Sequence, residues 1–422
     1  MADINITEKN QELINFHDEY IMGTYGRYPV AIVEGKGASL KDADGKKYID
    51  FTSGIGVNSL GIANDNWVLA VVKQLGRVQH ISNYYYSDVT VKLAEKLINL
   101  STKIDKIGMK KVFFGNSGAE ANEGAIKLAR KYSFDKYGKG RGTVITLKDS
   151  FHGRTMSTLA ATGQDVFHNY FFPFPEGFRF IERNNIDEFK NEVENNSDIC
   201  AFMVEPIQGE GGVNFICGDY IKQAYEICKE KDILLIFDDV QTGIGRTGKV
   251  FGCEHFSDLD NLDNLDKSVI SPDIITIAKG IGGGLPIGAF LCNEKLENTL
   301  SAGTHGSTFG GNPVVCAGAC EVIDTVSQPD FLSEVIKKGE YIAAQINKLN
   351  SEIIVEIRQR GLMIGIQLKL NEGETPKDYA KKCLQNGLLV LTAGNDVLRF
   401  LPPLNITYEE IDAGLEILEK IL

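Results

Sequence analysis

The chain has 422 residues, 43% of them hydrophobic and 24% charged, the make-up of an ordinary globular protein with two or three domains. A formal net charge of −13 argues against a nucleic-acid or anionic-membrane partner, but leaves open a local basic pocket for a small molecule. The eight cysteines form no CxxC, the first ten residues show no targeting pattern, and no apolar run approaches about 18 residues; these features predict reduced, buried thiols in a cytoplasmic protein that does not span a membrane.

In chain order, residues 1–55 read as an N-terminal segment that packs with the C-terminal domain. Nearly continuous apolar runs follow at 111–114, 143–147, 200–204, 233–237, 274–278 and 288–292, the pattern of strands buried on both faces. Between them, Ala121, Ala125, Leu128 and Ala129 share one helical face, as do Ile221, Ala224, Tyr225 and Cys228. This alternation predicts an α/β fold with a mostly parallel, doubly wound sheet over 56–310, whose ligand sits beyond the carboxyl ends of the strands. The stretch 257–270 carries Asp258, Asp260, Asp263 and Asp266 but lacks the glycine and terminal glutamate of a calcium loop, so it reads as a solvated surface insertion. Residues 311–422 read as a smaller α+β domain, with Cys316 and Cys320 packed on one helical face and a strand at 363–369. Its last helix starts at Thr407, with Glu410 completing a capping box and Ile406 able to staple onto Ile411.

Four strand ends carry polar chemistry. Lys279 follows an apolar strand and precedes a glycine-rich turn, where desolvation would make its amine nucleophilic. Asp238 and Asp239 end another strand, and a carboxylate there could face a pyridine nitrogen and keep it protonated. Gly115–Glu120 links a strand to a helix, and the free N–H groups of that helix start suit a phosphate. In Phe151-His152-Gly153-Arg154, the phenyl ring could stack on a cofactor and the guanidinium could grip a carboxylate. Each feature alone also fits an ordinary packed or surface role. Gly243–Gly248 spells GxGxxG, but five residues separate it from the strand end and no helical period follows, which disfavours a nicotinamide-dependent oxidoreductase.

Together these residues resemble the class III aminotransferases, which use pyridoxal 5′-phosphate (PLP) and share its fold type I. The likeness runs from about Tyr25 to Leu404 through NSGAEANE, SFHGRT, VEPIQGEGGV, DDVQTGIGRTG, AKGIGGGLPIGA, HGSTFGGNP and LRFLPPL. Within the class, HGRTMSTLAATGQ, HGSTFGGNPVVCAG and RGLMIGIQL are most similar to the acetylornithine aminotransferases. The resemblance implies that Lys279 binds the cofactor covalently and later moves a proton between substrate and cofactor. It also implies that Asp238 pairs with the ring nitrogen, Gln241 meets the phenolic oxygen, Gly118 and Ala119 hold the phosphate, and Phe151 stacks on the ring. Thr308 would reach the phosphate from the other subunit of a homodimer, with Ser307 near substrate. Arg154 and Arg399 would grip substrate carboxylates, and Glu210 would neutralise Arg399 when no carboxylate is there. No metal is implied.

The departures are small. The class usually reads DEV where Asp238-Asp239-Val240 stands, and the loop Gly61–Asn66 differs from the usual wording. The spacing from Asp238 to Lys279 is long, and the acidic stretch accounts for the excess. Ile55 stands where ornithine aminotransferases carry a tyrosine that recognises a free α-amino group, whereas Tyr25 matches both groups. The resemblance therefore implies transfer of an ω-amino group from N-acetylornithine to 2-oxoglutarate, a step of arginine biosynthesis. Ornithine, succinylornithine, succinyl-diaminopimelate and 4-aminobutyrate stand as alternative donors.

Overall fold

The computed structural model describes residues 8–103, 107–256 and 270–422. The expected insertion at 257–270 therefore lies, except for its last residue, outside the described residues.

All six apolar runs become strands of one seven-stranded sheet, in the order Met109–Gly115, Gly288–Asn293, Ile274–Ile277, Leu234–Asp238, Ile199–Val204, Thr143–Leu147, Phe178–Ile181. Every strand runs parallel except Gly288–Asn293, which pairs antiparallel with both of its neighbours. The central strands are buried along their whole length, so each can be apolar at every position. The helices Gly118–Tyr137 and Gly218–Lys231 bury the faces that carry Ala121, Ala125, Leu128 and Ala129, and Ile221, Ala224 and Cys228.

Two smaller sheets come from the chain ends. The strands Ile354–Arg360, Met363–Leu368, Val397–Phe400 and Leu391–Ala393 form an antiparallel sheet in that order. The strands Ile32–Lys36, Ser39–Asp42 and Lys47–Asp50 form another, closed by parallel pairing of Lys47–Asp50 with Leu388–Leu389. The last helix, Tyr408–Glu419, has the full capping box between Thr407 and Glu410, and both Ile406 and Ile411 are buried. Cys316 and Cys320 are buried on the helix Pro313–Val326. One expectation needs correcting: seven cysteines are buried, but Cys217 is exposed, because it precedes the helix Gly218–Lys231 on the surface.

Candidate active site

The functional residues converge because the parallel strands of the large sheet all point their carboxyl ends the same way. Asp238 is the last residue of its strand, Lys279 follows Ile274–Ile277 by two residues, and Phe151 follows Thr143–Leu147 by four. They line a cavity of about 240 Å³ with Gly118, Ala119 and Gln241. Gly118 opens the helix Gly118–Tyr137, whose N-cap Ser117 accepts from the Glu120 N–H at 3.1 Å. The first-turn N–H groups of Gly118 and Ala119 therefore border the cavity at the positive end of a 20-residue helix. A side chain at position 118 would meet Val240 at 2.8 Å, so only glycine lets the helix start come this close.

Asp238 is held by partners that sequence reasoning missed. Its Oδ2 accepts from Asn122 Nδ2 at 2.7 Å and lies 2.7 Å from His152 Nδ1, and its Oδ1 accepts from the Val240 N–H at 3.1 Å. All three side chains are buried. Burial lowers the proton affinity of His152, but Asp238 more than restores it, so the imidazole's pKa is raised. Glu205 also borders the cavity, where burial pushes its carboxyl up while it accepts from the Phe151 N–H at 2.6 Å. Asp239 faces away, accepting from Thr242 Oγ1 at 2.7 Å. The first of the two acids is thus the one turned to the cavity.

Lys279 sits at φ +45°, a left-handed conformation that a non-glycine residue adopts only where its surroundings impose it. Ser59 Oγ donates to the next carbonyl, Gly280 O, at 2.8 Å, and Trp67 Nε1 donates to Gly282 O at 3.2 Å; both brace the turn. Burial pulls the Lys279 amine below its ordinary value of 10.5, Glu210 pulls it up, and Arg399 pushes it down again. The free amine, the nucleophilic form, therefore builds up at lower pH than in an exposed lysine. Uptake of pyridoxal phosphate by the apoenzyme should have its pH midpoint below 10.5. Glu210→Gln removes a charge that raises this value and should move the midpoint lower still; stopped-flow absorbance reads the shift, and an upward move contradicts it.

Lys279 also lines an outer cavity of about 1350 Å³ with Tyr25, Ile55, Arg154 and Glu210. Arg399, on the strand Val397–Phe400 and only 2% exposed, grips Glu210 through two bonds: Nη1 to Oε1 at 2.8 Å and Nη2 to Oε2 at 3.1 Å. Gln241 completes the cluster, accepting from Arg399 Nη1 at 3.0 Å and donating to Glu210 Oε1 at 3.2 Å. Gly209 makes room for this, since a Cβ there would fall 2.1 Å from Gln241 Oε1. Arg154 is exposed at the cavity wall, its guanidinium 4.0 Å from the Phe167 ring centre. Ile55 lies in a left-handed turn, Ser53–Gly56, with φ +67°. Arg246, from the GxGxxG string, is buried beneath this turn and donates to Leu362 O and Pro402 O at 3.0 and 2.6 Å. That string folds as turns and does not itself open a helix, which a dinucleotide site would require.

Two expected residues stand apart. Ser307 and Thr308 line neither cavity; Ser307 Oγ takes a bond from Asn116 Nδ2 at 3.2 Å, and Thr308 is exposed.

The inner cavity fits pyridoxal phosphate: a lysine, a buried carboxylate, an aromatic ring and a helix N-terminus border one space. The family model for class-III aminotransferases matches residues 21–422. The chain is 48% identical over 403 residues to the acetylornithine aminotransferase of Haemophilus ducreyi, covering 96% of each chain. It is also similar to the solved N-acetylornithine aminotransferase of Stenotrophomonas maltophilia, with 33% identity, a TM-score of 0.80, and 97% and 98% of the two chains covered. The ornithine aminotransferase of Toxoplasma gondii superposes with a TM-score of 0.89 at 30% identity, covering 98% and 95%. The chain belongs to the class-III aminotransferases. It is a pyridoxal-phosphate-dependent enzyme of fold type I.

Proposed function

We propose that this aminotransferase moves the δ-amino group of N-acetylornithine to 2-oxoglutarate, giving the semialdehyde and glutamate, as a step of arginine biosynthesis. The observation that carries this reading is the Arg399–Glu210 pair beside Lys279: a guanidinium that can be unmasked for a diacid and neutralised for an amine donor. A buried pair of this kind is weak evidence for stability, and its place at the active cavity favours a functional role.

When bound, pyridoxal phosphate supplies an electron sink for the pair released at the substrate carbon. Lys279 holds the cofactor and moves a proton between the donor's δ-carbon and the cofactor's C4′. Asp238, fixed by Asn122 and His152, would hold the ring nitrogen, and the Gly118 and Ala119 N–H groups would hold the phosphate. Phe151 would cover the ring and Gln241 would meet its phenolic oxygen. Arg154 grips the donor's α-carboxylate near Tyr25, while Glu210 masks Arg399. When 2-oxoglutarate enters, the carboxylate next to its keto group displaces Glu210 from Arg399, while its distal carboxylate takes the place of the donor's α-carboxylate at Arg154. The two substrates thus share one site in turn, which requires ping-pong kinetics.

The minimal unit in this reading is a homodimer in which Thr308 of one copy completes the other copy's phosphate site, with Ser307 near substrate. The surface around them supports it: Asn83 Nδ2 donates to Ser307 O at 3.0 Å, and the adjacent Tyr84, Tyr85 and Tyr86 are 93%, 67% and 100% exposed, a cost in water that a second copy would remove. We assign residues 1–55 to a segment packing with the small domain, 56–310 to the cofactor domain and 311–422 to the small domain. Eight unpaired thiols suit a cytoplasmic setting.

A panel of amino donors with 2-oxoglutarate tests the substrate. N-acetylornithine should give the highest kcat/KM, and a preference for free ornithine would overturn the reading. Ile55→Tyr places a polar ring where the acyl group passes, and should shift the ornithine-to-acetylornithine ratio of kcat/KM toward ornithine by roughly tenfold or more. An unchanged ratio would remove Ile55 from substrate choice.

A further inference from the structure

We infer that Arg246, inside the GxGxxG string, is a positioning residue for donor choice: it tethers the left-handed turn that presents Ile55 to the outer cavity. The inference rests on the reading of Ile55 as the residue that meets the donor's acyl group, and it names what holds that residue in place.

The turn Ser53–Gly56 is an unfavourable backbone. Ser53, Gly54, Ile55 and Gly56 have φ of +42°, +66°, +67° and +72°, four left-handed residues in a row, two of which carry a Cβ. Such a conformation persists only where neighbouring groups impose it. Two buried charges do so here. Asp50 Oδ1 accepts from the Thr52 N–H at 2.7 Å, from Thr52 Oγ1 at 2.6 Å and from the Ser53 N–H at 3.1 Å. On the other side, Ser53 Oγ donates to Leu401 O at 2.6 Å and accepts from Arg246 Nη2 at 3.4 Å. Asp50, Ser53 and Arg246 are all buried.

The remaining bonds of Arg246 do not depend on the turn. Its Nη1 donates to Leu362 O and Pro402 O, and its own carbonyl accepts from the Leu362 N–H at 3.0 Å. Leu362 and Pro402 flank the strands Met363–Leu368 and Val397–Phe400, which pair with each other, and the second strand carries Arg399. The sheet is therefore the fixed side of the tether and Ser53 the dependent side. A buried guanidinium is a poor route to stability. The charge that offsets its burial is Asp50, which binds the same turn. The turn also abuts the reacting lysine: a Cβ on Gly280 would stand 3.5 Å from Gly56 O, and Ile55 lines one cavity with Lys279. If the tether is cut, Ile55 shifts against Lys279, and an acylated donor loses its apolar neighbour while the chemistry at the δ-amine stays intact.

The test measures kcat and KM for N-acetylornithine and for ornithine, each with 2-oxoglutarate, in the parent holoenzyme, Ser53→Ala, Arg246→Lys, Ile55→Ala and the double variant of Ser53 and Ile55. Ser53→Ala should raise KM for N-acetylornithine roughly three- to tenfold, the range for one lost hydrogen bond, with kcat retained. KM for ornithine, kcat/KM for 2-oxoglutarate and the yellow cofactor absorbance should stay at the parent's values, which a general loss of structure would not allow. Arg246→Lys should do at least as much, because an ammonium keeps the charge but lacks the fork that spans three acceptors; should it fail to fold, Ser53→Ala alone decides. In the Ile55→Ala background, Ser53→Ala should add less than about twofold, since the residue it positions is gone. Equal rises in KM for both donors, or full additivity with Ile55→Ala, would overturn the tether. A donor ratio changed by Ile55→Ala but not by Ser53→Ala overturns the tether alone, whereas a ratio that Ile55→Ala leaves unchanged overturns the reading of Ile55 and the tether with it. The ratio is informative whichever donor the parent prefers, so a preference for free ornithine would correct the substrate and not the tether.

Discussion

Lys279→Ala should lose activity by roughly 10⁴-fold or more, because a single amine serves both as covalent nucleophile and as proton carrier. The protein should remain folded. Lys279 is held in a left-handed conformation at the strand end, and burial already disfavours its charged form, so alanine removes an unfavourable group rather than a packed one. The Ser59 and Trp67 bonds to Gly280 and Gly282 keep the turn in place without it. The variant should still bind pyridoxal phosphate through the Asp238 and helix-N-terminus contacts, now exchangeably, so that dialysis strips the yellow colour that the parent retains. Turnover at the parent's rate would show that the chemistry lies elsewhere.

The second large effect falls on Arg399. Arg399→Ala should lower kcat/KM for 2-oxoglutarate by roughly ten- to 150-fold through loss of its charged hydrogen bonds. The half-reaction with the amine donor should be affected far less, since Arg399 is masked by Glu210 at that stage. Single-turnover absorbance of each half-reaction separates the two, and equal losses in both would refute the charge switch. Stability should also fall, by about 3 kcal/mol; the lower end of the range for breaking a buried pair applies because Glu210 is 28% exposed. The pH dependence has a definite sign. Burial raises the Glu210 carboxyl, but the Arg399 and Lys279 charges outweigh this and hold it at about 2, below its ordinary 4.5. A depressed acid contributes stability above its unfolded value and loses it as pH falls through the folded one. The gap in melting temperature between parent and variant should therefore narrow as pH drops from 4.5 toward about 2.

Much of the fold was legible because strands buried on both faces leave continuous apolar runs. The run at 233–237 shifts by one residue in the structure, placing Asp238 at the strand's last position. Phe178–Ile181 was missed: an edge strand of four residues, largely half-buried, leaves too little apolar pattern to read. The reversed direction of Gly288–Asn293 was equally invisible, since a strand buried on both faces reads alike in either orientation.

At the site, Lys279, Asp238, Phe151 and Gly118 were readable because each follows a strand on the ligand edge. Asn122, His152 and Glu205 were not assigned roles, because what makes them informative is shared burial around Asp238, contributed by separate elements. His152 stood in plain sight between Phe151 and Gly153, yet nothing local signals that its ring turns to a carboxylate 86 residues away. Likewise, the left-handed turn that carries Ile55 to the cavity has no sequence signature beyond Gly54 and Gly56.

Borohydride reduction of the purified holoenzyme, followed by peptide mass mapping, bears most directly on the central chemistry. A pyridoxyl group on Lys279 and on no other lysine is the expected result. Label on a different lysine, or an unlabelled protein that still catalyses amino transfer, would contradict it.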